Sequence, residues 1–281
     1  VARQKRLFLT EESRREVCDL YNSGLSIDKI ALHFGVSIVP IKIILKEEKV
    51  PIRSRSEANL MRYKFSKCPL NENFFSHFNS LSCYWAGYLS ADGSLDNDSN
   101  CLTLDISVKD IMHLEQFLED IQLDVKPIIN ADKATCRFSC SYAQIKCDLV
   151  NNFNILPNKT KIGIFPTKIL DKDNLRHFIR GYYDGNGCLK FERTSSGVVL
   201  RVEIASTESF LHDLRTVLEE TCGLGRVAIR PTNGTYSLQY GGKQVIRLLD
   251  YLQKPQCYRY LFRKTLRAAS DRHQIPLEEV V

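Results

Sequence analysis

A nine-residue pattern that occurs twice constrains the fold of this chain more than any other feature. Trp85-Ala86-Gly87-Tyr88-Leu89-Ser90-Ala91-Asp92-Gly93 returns 94 residues later as Ile179-Arg180-Gly181-Tyr182-Tyr183-Asp184-Gly185-Asn186-Gly187. Each copy sets small residues four apart, Gly87 with Ala91 and Gly181 with Gly185. On a helix such residues share one face, and missing side chains there let two backbones approach closely. Each copy ends in Gly, the usual residue at a helix C-terminus. Two helices packed through these faces would bring Asp92 and Asn186 side by side at their C-terminal ends. A carboxylate there meets the negative end of the helix dipole and calls for a cation, the arrangement of a divalent-metal site.

Both copies are followed by the same grammar. After the first, Cys101 to Val108 alternates, with Leu102, Leu104, Ile106 and Val108 on one face. Residues 110–122 then read as an amphipathic helix and Ala134 to Tyr142 as a further strand. After the second, Leu189 to Arg193 and Val198 to Ala205 form strands, a helix covers 208–222, and a hairpin runs from Arg226 to Tyr240. Asn233-Gly234 is the hairpin signal. Each half is thus helix, two strands, helix, two strands, helix.

The double motif resembles that of the LAGLIDADG homing endonucleases, and the resemblance runs from about Phe74 to Phe262. Leu156-Pro157-Asn158-Lys159-Thr160-Lys161, ahead of the second copy, is similar to a run characteristic of that family. The resemblance implies an α+β protein of two pseudo-symmetric αββαββα halves forming a DNA-binding saddle, monomeric, that hydrolyses a long non-palindromic duplex with Mg²⁺. Mn²⁺ would serve in its place, and Ca²⁺ as a substitute without cleavage. It implies metal ligands in Asp92, the carbonyls of Ala91 and Gly185, and Asn186, with Lys243 near the scissile phosphate. Gln144, with Lys146 two residues on, stands at the matching place of the first half. The departure is Asn186, where the family has a carboxylate. A neutral amide is a poorer ligand for a hard cation, so cleavage is expected to be impaired or limited to one strand. Asn186 reads either as a natural half-site variant or as a deliberate substitution, which the initial Val in place of Met favours. Asp184, about 200° round a helix from residue 186, faces elsewhere. The alternative is a catalytically inactive relative acting as a DNA-binding regulator or an intron-RNA maturase.

Alternation gives a candidate DNA face. With Leu189, Phe191, Val198, Leu200, Val202 and Ile204 under the helices, Lys190, Arg201 and Glu203 point outward. Tyr236, Leu238 and Tyr240 point in and leave Ser237 and Gln239 out. The first half exposes Arg137, Ser139 and Ser141, while Arg226 and Arg230 share a face. Arg suits guanine and Gln suits adenine in a major groove. Lys159 and Lys161 are expected on phosphates.

Residues 9–50 read as three short helices. Thr10 caps the first, with Val17, Leu20 and Tyr21 inward; Ser26 caps the second, with Ile27, Ile30, Ala31 and Phe34 inward. Gly35 makes the turn, and Ser37 caps a third through about Leu45. Ile30-Ala31-x-x-Phe34-Gly35-Val36-Ser37 resembles a DNA-binding helix-turn-helix, which implies Ser37, Lys42 and Lys46 at bases or phosphates. Arg53 and Arg55 form a basic tether suited to phosphates. Residues 1–70 hold 14 Lys/Arg against 8 Asp/Glu, whereas residues 71–281 hold 25 of each. The net charge of +6 therefore lies in the N-terminal quarter and points to a polyanion there. The expected organisation is residues 1–55 as that module, 56–80 as a connector whose Phe74, Phe75 and Phe78 dock onward, and repeats at 81–165 and 166–281.

Ten cysteines fall at scattered spacings without Cys-x-x-Cys. That argues against zinc and for free thiols in a reducing intracellular compartment. No membrane span or signal peptide is expected.

Overall fold

The computed structural model describes residues 10–54, 57, 70–157, 162–195, 197–232, 234–253 and 259–265. Arg55, Lys159, Lys161 and most of the expected connector lie outside the described residues. The chain divides into two compact units, Val1–Cys68 and Pro69–Val281.

The first unit holds α1 (Glu11–Asn22), α2 (Ile27–His33) and α3 (Ile38–Glu47). Thr10 and Ser26 cap as expected, their hydroxyls accepting 3.3 Å bonds from the backbone N–H of Ser13 and Lys29. Gly35 turns the chain at φ +63°, the left-handed region that favours glycine. Val17, Tyr21, Ile30, Ala31, Ile41, Ile44 and Leu45 close the core. Leu20, Ile27 and Phe34 are only half-buried at its edge. Ser37 stands at the N-cap of α3, but its hydroxyl makes no capping bond.

The second unit runs α4 (Ser80–Asp92), β1 (Gly93–Leu95), β2 (Cys101–Ser107), α5 (Ile111–Asp120), β3 (Ile128–Asn130), β4 (Thr135–Ser141) and α6 (Ala143–Phe153). It then repeats as α7 (Lys172–Asn186), β5 (Gly187–Thr194), β6 (Gly197–Ser206), α8 (Glu208–Cys222), β7 (Ile229–Thr232), β8 (Thr235–Gly241) and α9 (Lys243–Gln253). The two antiparallel sheets share one topology, β1-β2-β4-β3 and β5-β6-β8-β7. Their inner faces bury Leu102, Leu104, Ile106 and Phe138 in one half and Leu200, Val202, Ile204, Leu238 and Tyr240 in the other. Strand β2 stops at Ser107, and Val108 opens a short 3-10 turn. Val198 keeps the inward register but lies at the ribbon end, exposed. Phe74 and Phe75 are buried, the ring of Phe75 6.0 Å from that of Phe153, whereas Phe78 touches Phe153 from the surface and stays exposed, so the expected docking holds for the first two.

Helices α4 and α7 pack backbone to backbone. A Cβ on Gly87 would stand 2.0 Å from the Phe178 carbonyl oxygen, and one on Gly181 would stand 1.9 Å from that of Tyr84. Phe178 and Tyr84 each precede a motif glycine by three residues, so the contact is reciprocal. The glycines that end the helices do not take the left-handed conformation usual for a glycine at that place. Gly93 and Gly187 have φ of −72° and −77°, and the chain passes directly into a strand. What requires glycine is space, because a Cβ would lie 2.7 Å from Leu89 O in one case and 2.3 Å from the Tyr183 ring in the other.

Candidate functional site

The C-terminal ends of α4 and α7 meet. A Cβ on Gly185 would lie 2.2 Å from Cβ of Ala91 and 3.5 Å from the carboxyl carbon of Asp92. Asp92 thus sits beside the last turn of the opposite helix, where carbonyl oxygens concentrate negative charge. One cation found there is a residue the sequence did not mark out. Lys264, only 6% exposed, donates from Nζ to the carbonyl of Gly185 and, at 3.4 Å, to that of Tyr183. Burial, with Arg263 adding to it, lowers this ammonium to about 8, while Asp184 and Asp92 act the other way.

Lys264 is carried by residues 259–265, which run as a strap across both halves. Arg259 is paired with Asp120 and Arg263 with Asp110, both from the first half. The Leu261 N–H donates 2.9 Å to Asp184, and the Tyr183 hydroxyl donates 3.1 Å to the Lys264 carbonyl, both from the second.

The side chain that ends α7 is itself neutral. Asn186 Nδ2 donates to the Tyr182 hydroxyl at 3.0 Å and to the Ala205 carbonyl at 3.3 Å, turning the side chain toward its own sheet. It borders a cleft of about 230 Å³ that also touches Ala91, Asn154, Tyr182, Ser206 and Phe210, and none of the residues lining it is charged. Asp184 does face elsewhere. It is fully buried and accepts from Tyr84 Oη at 2.8 Å and Arg180 Nε at 3.2 Å.

The outer sheet faces largely follow the alternation. Arg137, Ser139 and Ser141 point outward on β4, as do Lys190 on β5 and Arg201 and Glu203 on β6. Each of these cations has a carboxylate on a neighbouring strand: Arg137 with Asp105, Lys190 with Glu203, Arg201 with Glu192. Gln239 is half-exposed opposite Glu203, and Arg230 is exposed on β7. Two expectations need correction. Ser237 is 7% exposed, because its short side chain lies between Ala205 and Arg230 in the middle of the sheet. Arg226 is exposed but precedes β7, which begins at Ile229, so it is not on the ribbon.

Lys243 is exposed as the first residue of α9, directly after Gly242. Counting from the ends of β4 and β8, its counterpart is Ala143, and Gln144 matches Gln244. Lys146 is a structural staple, donating to the carbonyls of Asp96, Asn97 and Ser99 in the β1–β2 turn.

In the N-terminal unit Ser37, Lys42 and Lys46 are exposed on α3. Arg53 is not a tether side chain. Its guanidinium donates to the carbonyls of Tyr21, Gly24 and Leu25 and stacks 3.9 Å over the Tyr21 ring, neutralising the C-terminal end of α1.

The pairing of two repeated halves through their motif helices has a counterpart among solved structures. The meganuclease I-AabMI, solved bound to uncleaved DNA, is 13% identical over 72% of this chain and 91% of its own, with a TM-score of 0.50. This is the LAGLIDADG fold. The homing endonuclease I-LtrWI, solved bound to target DNA, is similar at 15% identity over 71% of this chain and 89% of that one, TM-score 0.47. Full-length DUF199/WhiA from Thermatoga maritima shows 16% identity over 75% and 66%, TM-score 0.47. No protein-family model and no curated protein matches the chain.

The residues at the LAGLIDADG helix ends of this chain do not fit a shared divalent ion. Among the described residues no group of three or more His, Cys, Asp or Glu is placed to hold a metal. The Asn186 amide nitrogen bonds two oxygens, so this residue could offer a cation only its neutral Oδ1, and the Gly185 carbonyl accepts from an ammonium. That carbonyl has a second lone pair, but a divalent ion placed there would sit against the Lys264 charge.

Proposed function

We propose that this chain binds long duplex DNA through the outer faces of its two sheets and does not cut both strands. The observation that carries this reading is the chemistry of the helix ends. The first motif helix ends in a single carboxylate; the second ends in an amide that borders an uncharged cleft, and its Gly185 carbonyl is held by a buried ammonium. Hydrolysis by a LAGLIDADG pair would draw on metal to activate water and to stabilise the leaving oxygen, and neither end supplies a matching set of ligands. Binding draws support from a different part of the molecule. Lys190, Arg201, Gln239 and Arg230 on one sheet and Arg137 and Ser139 on the other face outward, and ribbons of this width fit a major groove. The meganuclease I-AabMI, which has this fold, was solved bound to DNA.

The N-terminal unit is read as a second DNA contact, with Ser37, Lys42 and Lys46 presented on α3 as in a helix-turn-helix. Both halves come from one chain, so a monomer meets an asymmetric site. Selection from a random duplex library tests this directly. The expected result is one long non-palindromic consensus that stays intact in Mg²⁺. Cutting of both strands of that consensus, or preference for a structured RNA over every duplex, would overturn the reading. A weaker cleavage reading rests on Asp92 alone at the end of α4, and it predicts slow nicking of one strand that Asp92→Asn removes.

A further inference from the structure

Two helix C-termini and the Asp92 carboxylate converge at one place, and such a concentration of negative charge requires a counter-charge. In most helices the last carbonyls turn to water or to a cation at the surface. Here Gly185 lies against Ala91, and a buried side chain from the C-terminal strap reaches its carbonyl. The strap is held from both sides, by Asp110 and Asp120 of the first half and by Asp184 of the second. Lys264 is therefore delivered to the helix ends by anchors that do not depend on its own charge.

We infer that the Lys264 ammonium is the resident cation of the helix pair, and that it occupies the end of α7 in place of a divalent ion. The two are mutually exclusive at Gly185. An ammonium and a divalent cation on one carbonyl would stand a few ångströms apart in a site screened from water, where like charges repel far more strongly than at the surface. The arrangement makes the pairing of the two halves independent of metal. It also explains why Asn186 alone does not account for the chemistry of this site, since restoring a carboxylate there leaves the ammonium in place. The inference deepens the reading of the helix ends given above, but it concerns ion binding and holds whether or not the chain binds DNA.

Mn²⁺ titration followed by electron paramagnetic resonance, without DNA, tests it on the full chain. The intact protein should show no Mn²⁺ site that Asp92→Asn removes. Lys264→Met, which keeps the length of the side chain and discards its charge, should gain one such site, roughly tenfold or more tighter than any Mn²⁺ binding of the intact chain. Adding Asp92→Asn to Lys264→Met should abolish the gain. An Asp92-dependent Mn²⁺ site in the intact chain overturns the inference, as does a folded Lys264→Met protein that gains none. If Lys264→Met does not fold, comparison of the intact chain with Asp92→Asn still decides. DNA affinity measured separately in EDTA distinguishes failure of the DNA reading from failure of this one.

Discussion

Tyr84 on the first motif helix donates a 2.8 Å hydrogen bond to Asp184 on the second, a carboxylate with no exposed surface. The same oxygen accepts from Arg180 and from the Leu261 backbone, and the Tyr84 hydroxyl also meets His113 Nε2 at 2.9 Å. Four elements thus join at one buried group: both motif helices, α5 and the C-terminal strap. A burial of this kind is tolerated only because the charge is paired and bonded.

Tyr84→Phe removes the donor that links the two halves and should cost about 1–3 kcal/mol. Asp184→Leu strips a buried guanidinium of this carboxylate and should cost more, about 3–5 kcal/mol. Equilibrium urea unfolding measures both. Equal effects of the two changes would mean that the ion pair adds nothing to the interhelical bond.

Close approach of the motif helices makes a second prediction. Gly87→Ala and Gly181→Ala would each drive a methyl into a backbone carbonyl, so the loss should reach or exceed the upper end of the about 1–3 kcal/mol usual for overpacking. Gly223→Ala is the contrast: its φ of +60° is strained for alanine, but a Cβ meets nothing within 4 Å. About 1–2 kcal/mol is expected there. Melting temperatures that rank Gly223→Ala as the worst of the three would contradict the packing described.

Acid sensitivity should come from buried imidazoles. Burial, with the neighbouring Arg176, lowers His177 to about 4, and burial also lowers His113. In the unfolded chain both titrate at about 6.5. The unfolded state therefore binds more protons between these values, and stability falls as pH drops from about 6.5 toward 4. His177→Gln should flatten the curve of melting temperature against pH in that window, whereas an unchanged slope would assign the effect to other groups.

Arg53 and the lysines of α3 should separate stability from binding. Arg53→Ala removes bonds to three carbonyls and should lower the stability of the N-terminal unit by about 2 kcal/mol. Lys42→Ala and Lys46→Ala should leave melting unchanged and weaken DNA binding with a reduced salt dependence. A DNA defect in a normally stable Arg53→Ala protein would restore the tether reading.

On the sheet faces, Arg230→Ala should relax base preference at a few positions by about 1–3 kcal/mol if its contact is bidentate. Arg201 is already paired with Glu192, so binding must exchange one partner for another, and Arg201→Ala should cost less. Library selection on each variant reads the effect position by position. Uniform losses across all sequences would make both residues phosphate contacts.

The repeat, the helix pair and the alternation of the long strands were legible in the sequence, because small-residue spacing and period-two patterns are local and leave direct marks on it. The same holds for the caps at Thr10 and Ser26. Three features lay beyond local reading. Lys264 stands 79 residues from the carbonyl it meets, and no periodicity relates a strap to a helix end so distant in the chain. Arg53 looks like any basic linker residue until the end of α1 folds over it. Ser237 has the right parity for an outward face, yet its neighbours on both sides cover it. Sequence alone determined which backbones could touch and where two helices end. Tertiary structure decided which charge arrives there, because a buried cation is held by partners that only folding brings within reach.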